Sequence, residues 1–468
     1  MSAAPAQVSG DTAVLKALRK IRMPQKQRNR ELVLLLFALV VAGASIVLVQ
    51  LATKGSVQPT FLVLAGVLAA LTIALHIVLR FRAPDADPFV VPIATLLTGL
   101  GIAEIYRIDI HWVDVGEVTA GWGETSMRQV AWAAISLVAT IVLVIALRNY
   151  RVLFRYTYIF GLAGLLLLLL PFVPGLGSDA NADVWVSIAG IFSFQPGELA
   201  KICLAIFFAG YLVRTRESLV SAGHRFLGMT WPRARELGPL LVLWLLSLGI
   251  IVLQRDLGTG LLIFGMFVAM LYVATGKTSW VVIGLVLAGG GAFLASRVLP
   301  YVGHRFNNWL NAFDPQVINQ PNGSYQLVQG IFGLGQGGLI GTGLGQGRPY
   351  ITPLAQSDYI LPSLGEELGL VGVFAILALY MVFVSRGLRI GLTGQDDFGK
   401  LLATGLAFTI ALQVFIMVGG VTRIIPLTGL TTPFLAAGGS SLIANWLIVG
   451  VLLRISDAVR RVPRVVIG

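Results

Sequence analysis

Long apolar runs, separated by short polar connections, dominate the chain from residue 32 onward. A helix needs about 20 apolar residues to span the hydrocarbon core of a bilayer. The runs lack the strict alternation of apolar and polar positions that strands of a membrane barrel show. The pattern therefore predicts an all-α polytopic membrane bundle of about twelve transmembrane helices, at 32–52, 60–79, 88–105, 130–147, 156–172, 198–213, 238–253, 258–275, 280–299, 368–385, 401–420 and 434–453.

Composition excludes an ordinary soluble protein. Of the 468 residues, 56% are hydrophobic and only 12% are charged, and the mean hydropathy is +0.84. Such a chain has too little polar surface to cover a soluble fold. The single cysteine, Cys203, falls within a predicted span and excludes an internal disulfide bond. A cleavable signal peptide is not expected, because the first apolar run has the length of a full span and a second follows.

The positions of the basic residues predict the orientation in the membrane. With the N-terminus inside, the inner segments carry 25 of the 34 Lys and Arg residues and the outer segments carry eight. This asymmetry follows the positive-inside rule and predicts that both termini are cytoplasmic. The basic stretch from Lys16 to Arg30 is interpreted as a topology anchor facing anionic lipid rather than as a nucleic-acid-binding arm.

Three of the predicted outer connections are long, namely 106–129, 173–197 and 300–367. Loops of that length usually carry function, so the third is the strongest candidate. It contains Asp314, the only acidic residue between Asp256 and Asp358. A desolvated carboxylate with few neighbours suits a general base, whereas the alternative interpretation is that Asp314 and Pro315 start a turn.

A glycine-rich segment follows in the same loop. Ten glycines lie between 323 and 347, and "GLGQGG" at 333–338 formally matches a dinucleotide-binding fingerprint. That fingerprint needs a preceding strand and a following helix, which the local pattern does not predict. The segment instead predicts a close-packed turn region in which backbones approach without side chains.

Two charged pairs sit close to predicted spans. Glu198 and Lys201 share one helical face, and they form either a structural ion pair or part of a polar cavity. Asp256 is predicted to cap the eighth span, with contact between Arg255 and an anionic ligand as the alternative.

Arginines on the predicted outer face are exceptions to the positive-inside tendency, so a specific interaction is expected for each of them. Arg305, Arg348 and Arg423 are candidates for binding the phosphates of a lipid pyrophosphate, since guanidinium groups match phosphate oxygens. Ion pairing with Asp358 or Glu366 is the alternative.

Six segments in order resemble the signatures of the SEDS family, the RodA- and FtsW-type peptidoglycan polymerases, and most closely the RodA branch. They are "QPGELAK" (195–201), "QRDLGTG" (254–260), "GSYQLVQ" (323–329), "GLIGTGLGQGR" (338–348), "SDYILPSLGEELGLVG" (357–372) and "PLTGLTTPFLAAGGSS" (426–441). The resemblance implies a ten-span core at 88–455 with the outer loop 300–367. It also implies an added N-terminal pair at 32–87, a cytoplasmic segment at 1–31 and a cytoplasmic tail at 456–468.

The resemblance further implies a plasma-membrane glycosyltransferase that polymerises lipid II on the outer face during cell elongation. Lipid II is a disaccharide-pentapeptide on undecaprenyl pyrophosphate. The implied partner is a class B penicillin-binding protein, and a divalent cation, Mg or Mn, serves some family members. A precursor flippase and a non-enzymatic scaffold are the alternative functions.

In similar proteins an aspartate shortly before the Gly-Tyr-Gln stretch deprotonates the 4-hydroxyl of the acceptor sugar. Here Gln320-Pro321 stands where relatives often have Asp-Pro, and the Asp-Pro of this chain lies earlier, at 314–315. Asp314 is therefore the predicted catalytic residue, with Glu366 or Glu367 of "GEELG" next. The predicted substrate-binding residues are Arg305, Arg348, Glu198, Lys201 and Glu366.

Overall fold

The computed structural model describes residues 24–173, 184–188, 192–221, 224–226, 229–231, 234–394 and 396–461. Most of the predicted N-terminal anchor and the end of the predicted tail, 462–468, lie outside the described residues. So do parts of the connections 173–197 and 214–237.

The described part of the first half is mainly helical, with two short antiparallel hairpins. The hairpins pair β1 (Val186–Ile188) with β2 (Phe192–Phe194) and β3 (His224–Phe226) with β4 (Met229–Trp231). The helices are α1 (Pro24–Lys54), α2 (Pro59–Arg82), α3 (Val90–Asp114), α4 (Thr125–Ala146), α5 (Val152–Arg155), α6 (Thr157–Leu169, continued by a 3-10 turn at Leu170–Phe172) and α7 (Pro196–Ser221).

The second half contains the remaining long helices and the outer loop, which is itself helical in part. A 3-10 turn at Pro349–Ile351 precedes α14. The helices are α8 (Ala234–Leu253), α9 (Leu257–Thr275), α10 (Ser279–Val298), α11 (Pro300–Leu310), α12 (Pro315–Ile318), α13 (Tyr325–Gly337), α14 (Ile360–Thr393), α15 (Asp397–Val421) and α16 (Gly439–Arg460).

The predicted all-α membrane bundle is confirmed. In the part of the chain that the structure describes, ten helices are long and apolar enough to cross a membrane, and two shorter apolar helices, Thr157–Phe172 and Val242–Leu253, supply the other two predicted spans. The largest boundary difference is in α14, which begins at Ile360 instead of residue 368. Polar residues between Ile360 and the kink at Gly369 obscured this start, because their low hydropathy resembles that of a loop.

Burial separates the helices into a protein-enclosed centre and a lipid-facing periphery. Helices α3, α7, α15 and α16 are mostly buried, whereas α10 exposes most of its apolar side chains. Since lipid tails are as apolar as leucine, an exposed apolar face carries no penalty in a bilayer. The enclosed helices are therefore the ones free to carry polar groups, and the candidate site is built on them.

The N-terminal pair docks on this centre through small residues and a buried charge cluster. Gly99 of α3 lies so close to α1 that a Cβ there would be 2.3 Å from the Cβ of Ala42. At the other end of α1, Arg28 binds Glu31 and the carbonyl of Ala86. His76 Nδ1 lies 2.7 Å from Glu31 Oε1. These contacts fix α1 and α2 against the core.

The glycine-rich segment is the close-packed region that the sequence predicted, and it packs against a break in α14. Gly369 has φ +69°, which interrupts the hydrogen-bond ladder of that helix. The freed N–H groups of Leu370 and Val371 donate to the carbonyls of Gly338 (2.9 Å) and Leu339 (3.1 Å). Backbone groups at membrane depth need such partners, so the segment completes the bonding that the kink removes. "GLGQGG" itself lies at the end of α13 and the turn after it, with no strand before it in 300–332.

Candidate active site

The central polar site begins with an ion pair near the start of α7. Glu198 Oε2 and Lys201 Nζ are 2.5 Å apart, and both side chains are buried. Lys201 also donates to Gln413 Oε1 of α15 at 3.0 Å and contacts Asn445 Oδ1 of α16 at 3.5 Å. An ammonium inside a bundle needs such partners. The pair is thus the hub at which three buried helices meet, and not an isolated neutralised couple.

Hydrogen bonds extend this hub toward the segment between α15 and α16. Gln413 Nε2 donates to the carbonyl of Thr431 at 2.8 Å, and Thr431 Oγ1 donates to Ser441 Oγ at 2.9 Å. Asn445 Nδ2 donates to Ser441 Oγ at 3.2 Å. Residues of the first and sixth resemblance segments, which lie more than 200 positions apart in the chain, therefore share one connected polar network.

Asp256 joins the network at the N-terminus of α9, where it forms the predicted cap. Its Oδ1 accepts from Thr259 N at 3.0 Å, and its Oδ2 accepts from Gln195 Nε2 at 3.2 Å. Burial raises the pKa of Asp256, and the negative charge of Glu198 adds to the rise, while Arg305 opposes it. The preceding Arg255 is exposed with φ +60°.

Arg305 and Asp358 face each other at the edge of this site. Arg305 Nη1 donates to the carbonyl of Thr428 at 2.7 Å. A Cβ at Gly429 would lie 3.9 Å from Asp358 Oδ2 and 4.0 Å from Arg305 Nη2. Burial raises the pKa of Asp358 to about 6, and Asp256 adds to the rise while Arg305 lowers it. The sequence predicted Asp358 only as an ion-pair partner of the arginines; its burial beside Arg305 is a property of the fold.

An apolar cavity of about 400 Å³ opens beside Arg305, between α8, α9, α10 and α11. Its walls include Trp244, Phe264, Val302 and Phe306. A guanidinium at the rim of an apolar cavity suits a ligand with an anionic head and a hydrocarbon chain.

A second charged cluster lies where α3 meets α14. Glu367 Oε1 accepts from Arg107 Nε at 3.2 Å, and Glu367 Oε2 accepts from Gly345 N at 2.8 Å. Arg107 Nη2 donates to the carbonyl of Gly347 at 2.7 Å. Both oxygens of Glu367 are therefore engaged in holding the glycine-rich segment, which favours a structural part for this residue over that of a base.

Glu366 and Arg348 lie next to this cluster but face a polar cavity of about 580 Å³. Glu366 Oε1 accepts from the backbone N–H of Arg348 at 2.6 Å. The Arg348 guanidinium is exposed and makes no hydrogen bond or ion pair with the residues that the structure describes. The two predicted binding residues are thus brought together, but away from the network around Lys201.

Asp314, the predicted base, lies on the exposed surface of the outer loop. It caps the short helix α12, where its Oδ1 accepts from Gln316 N at 2.9 Å. Its side chain lines neither of the cavities described above. The adjacent Phe313 contacts Phe332 at a centroid distance of 6.4 Å, and Phe332 lines the polar cavity. The structure therefore gives Asp314 a helix-capping role on the exposed surface, and it is the adjacent Phe313 that contacts the lining of the cavity.

Arg423, the third outer arginine, is occupied by backbone carbonyls. Its Nε donates to Trp309 O at 2.8 Å and its Nη2 to Leu310 O at 2.8 Å. Trp309 Nε1 returns a bond of 3.0 Å to Arg423 O. These bonds satisfy carbonyls at the C-terminal end of α11, so the Arg423 side chain has protein partners without any phosphate.

Within the described ranges, no three His, Cys, Asp or Glu side chains form a group suited to holding a metal ion. The residues described therefore do not provide a protein-built ligand set for Mg or Mn.

A family model described as the cell cycle protein family FtsW, RodA and SpoVE matches residues 88–461. The chain belongs to this family. Among its relatives, peptidoglycan glycosyltransferase RodA of Mycobacterium tuberculosis is 44% identical over 93% of this chain and 92% of the relative. The corresponding protein of Mycobacterium leprae is 42% identical over 93% of this chain and 91% of the relative. The predicted SEDS resemblance, RodA branch included, is confirmed.

Solved structures share the fold of this family member. A chain from a peptidoglycan synthase complex matches 80% of this chain and 98% of its own length, with a TM-score of 0.62 and 24% identity. The crystal structure of Thermus thermophilus rod shape determining protein RodA matches 79% of this chain and 96% of its own length, with a TM-score of 0.53 and 23% identity. At these identities the likeness concerns the fold alone. That shared fold is the fold of a multi-pass membrane protein.

Proposed function

We propose that this FtsW/RodA/SpoVE family member is a peptidoglycan glycosyltransferase that polymerises lipid II into glycan strands on the outer face of the plasma membrane, in cell elongation and shape maintenance. The observation that carries the proposal is the convergence of Glu198, Lys201, Asp256, Arg305 and Asp358 at one end of the bundle. The predicted glycosyltransferase activity is confirmed at the level of the family by relatives that bear this name.

The reaction needs a base, a binding site for pyrophosphate and room for a lipid chain. The 4-hydroxyl of the acceptor sugar gives its proton to a carboxylate as its oxygen attacks the anomeric carbon of the donor. The bond from that carbon to the phosphate oxygen breaks, and undecaprenyl pyrophosphate leaves with the electron pair. Arg305 and Lys201 stabilise the charge that develops on the leaving group. The apolar cavity beside Arg305 accommodates hydrocarbon of the lipid.

Asp314 is the base in this proposal. Its support is the Asp-Pro pattern, its exposed position in the outer loop and the contact of the adjacent Phe313 with Phe332 of the polar cavity. Asp358 is the second candidate, because its partly buried carboxylate lies close to Arg305 and has a pKa of about 6. A base with a pKa near the working pH combines the ionised state with sufficient proton affinity.

Orientation and partner form part of the same proposal. The charge asymmetry supports cytoplasmic termini, which puts the loop 300–367 outside with the lipid II headgroup. The proposed partner is a class B penicillin-binding protein, which would crosslink the strands, and the fold shared with a chain of a peptidoglycan synthase complex supports it.

The test uses the full chain in lipid nanodiscs with fluorescent lipid II, with and without Mg²⁺ or Mn²⁺. We expect glycan polymer from the wild type and at least a hundredfold loss with Asp314→Asn, since a positioned base contributes about 10² to 10⁴ in rate. Asp358→Asn is measured in parallel, and Asp114→Asn serves as a control acid on the exposed outer end of α3.

Each outcome has a separate meaning. Polymerisation that survives Asp314→Asn but not Asp358→Asn assigns the base to Asp358, and survival of both substitutions excludes both residues. Lipid II translocation without any glycosidic bond would favour a flippase over the polymerase. Normal cell growth with a polymerisation-dead variant as the sole copy would favour a scaffold.

A further inference from the structure

The polar cavity is lined by several polar side chains that make no hydrogen bond to other described residues. Three glutamine side chains, Gln329, Gln336 and Gln346, line it together with Arg348 and Glu366. None of the three amides has a side-chain hydrogen bond to the residues that the structure describes, and neither does the Arg348 guanidinium. Donors and acceptors that converge without internal partners are available to a polar ligand.

Glycines keep the carboxylate of Glu366 open to this cavity. A Cβ at Gly333 would lie 3.4 Å from Glu366 Oε2, and a Cβ at Gly347 would lie 3.2 Å from Glu366 Oε1. Glu366 is itself 7% exposed, and its Oε1 is fixed by the Arg348 N–H. Because Oε1 is held by the backbone, Oε2 is oriented toward the space that Gly333 leaves free. The carboxylate is therefore a buried, positioned acceptor at the floor of the cavity.

An exposed aromatic pair leads from this cavity to Asp314. Phe332 is 57% exposed and lines the cavity, while Phe313 is 47% exposed and immediately precedes Asp314. Their ring centroids are 6.4 Å apart. Large exposed aromatic rings beside a polar cavity mark a ligand surface. The pair connects the residue next to the proposed base with the lining of the amide-lined cavity.

The side chains that line the polar cavity indicate the chemical class of its ligand. A pyrophosphate would be repelled by the negative charge of the Glu366 carboxylate. A hydrocarbon chain would bury the three amides without hydrogen-bond partners, which is unfavourable. A neutral ligand rich in hydroxyl and amide groups satisfies the glutamines, Arg348 and Glu366 together, and its apolar ring faces can pack on Phe332. N-acetylated sugars have this chemistry, and the cavity volume of about 580 Å³ lies within the range typical of ligand sites.

We propose that the polar cavity, with Phe313 and Phe332, is a glycan subsite that binds N-acetylated sugar rings of the strand next to Asp314. The inference rests on the proposed function, because only a polymerase presents such a strand. The pyrophosphate end of the substrate then lies at the separate centre of Arg305 and Lys201. Sugar contacts away from the reacting bond hold the strand between successive additions, so this subsite governs how many units are added before release.

The first experiment measures strand length at equal consumption of fluorescent lipid II. The double variant Gln336→Leu/Gln346→Leu removes two cavity amides, and Phe332→Ala removes the exposed ring. We expect strands at least threefold shorter from each variant than from the wild type. Asn311→Leu is the matched control, since Asn311 is an exposed amide of the same loop outside the cavity. An unchanged length distribution in both test variants would overturn the subsite.

The second experiment measures binding without catalysis. The probe is the β-1,4-linked tetramer of N-acetylglucosamine, followed by saturation-transfer NMR on Asp314→Asn protein in nanodiscs. We expect binding that the Gln336→Leu/Gln346→Leu change weakens at least tenfold and that inorganic pyrophosphate does not displace. Displacement by pyrophosphate would overturn the assignment to a neutral sugar, and so would tetramer affinity that the double change leaves unaltered.

The two experiments separate failure of the subsite from failure of the proposed function. A wild type that binds the tetramer in the polar cavity but forms no polymer contradicts the polymerase and retains the sugar site. A wild type that polymerises lipid II but shows neither tetramer binding nor a length change in the variants contradicts the subsite alone.

Discussion

Arg107 and Glu367, which lie 260 positions apart in the chain, meet in a buried hydrogen-bonded ion pair with Nε and Oε1 separated by 3.2 Å. Arg107 is 7% exposed and Glu367 is 1% exposed. The pair joins α3 to the kinked start of α14, and Arg107 also holds the carbonyl of Gly347. This explains why a basic residue lies on the predicted outer side of the bundle: its charge is used inside the protein and does not face the membrane surface.

Arg107→Met should lower the free energy of unfolding by about 3–5 kcal/mol, because it leaves the Glu367 carboxylate buried without its cation. Adding Glu367→Gln should restore part of that loss by removing the stranded charge. Thermal unfolding in nanodiscs, followed by intrinsic fluorescence, measures both effects. Arg128→Met, at an exposed arginine of α4, should change the midpoint little. A similar loss at both arginines would contradict the pair as the cause.

Lys201→Met should destabilise the protein by a similar amount and abolish polymerisation, since it removes the cation from Glu198, Gln413 and Asn445. The double variant Glu198→Gln/Lys201→Met removes both charges and should recover stability. We expect it to remain inactive, because the ammonium also serves the leaving group. Recovery of polymerisation together with stability would show that the pair is only structural, the alternative that the sequence left open.

Because the pKa of Asp358 is raised in the folded protein, its ionisation should lower the free energy of unfolding. Its pKa of about 6 in the folded protein exceeds the ordinary value of 3.8, so the folded state binds a proton more tightly than the unfolded state does. Stability from this group is complete below about pH 4 and is lost as the pH rises through about 6. The midpoint of Asp358→Asn should therefore rise relative to wild type between pH 4.5 and pH 7.5. A difference that is constant with pH would contradict the shift.

Gly369→Ala should prevent stable folding of the outer end of α14. The residue has φ +69°, and a Cβ there would lie 2.3 Å from Gly341 N and 2.5 Å from Leu339 O. Backbone atoms cannot give way as a side chain can, so we expect a loss of more than about 3 kcal/mol. Gly335→Ala is the matched control, because a Cβ at this helical glycine meets nothing within 4 Å. Equal stability of the two variants would show that the kink can relax.

Sequence by itself determined the membrane architecture and the family. In a bilayer, the backbone of a continuous apolar run finds hydrogen-bond partners only within its own helix. Each of the twelve predicted spans was therefore expected to be helical. Ordered segments such as "QPGELAK" and "GEELG" identified the family because each combines charged residues with glycines that few folds tolerate near lipid. Asp256 as a cap and the close-packed glycines were equally local, since capping and backbone approach depend on neighbouring residues.

Tertiary structure decided which polar residues share a site. The same arginine side chain can bind a phosphate, a carboxylate or a helix end, and only packing assigned Arg423 to the carbonyls of α11 and left Arg348 free in a cavity. Packing also separated Glu366 from Glu367 and set Asp358 opposite Arg305. These contacts join residues that lie tens to hundreds of positions apart in the chain. Their energies depend on burial and on interatomic distance, and neither can be read from a local sequence pattern.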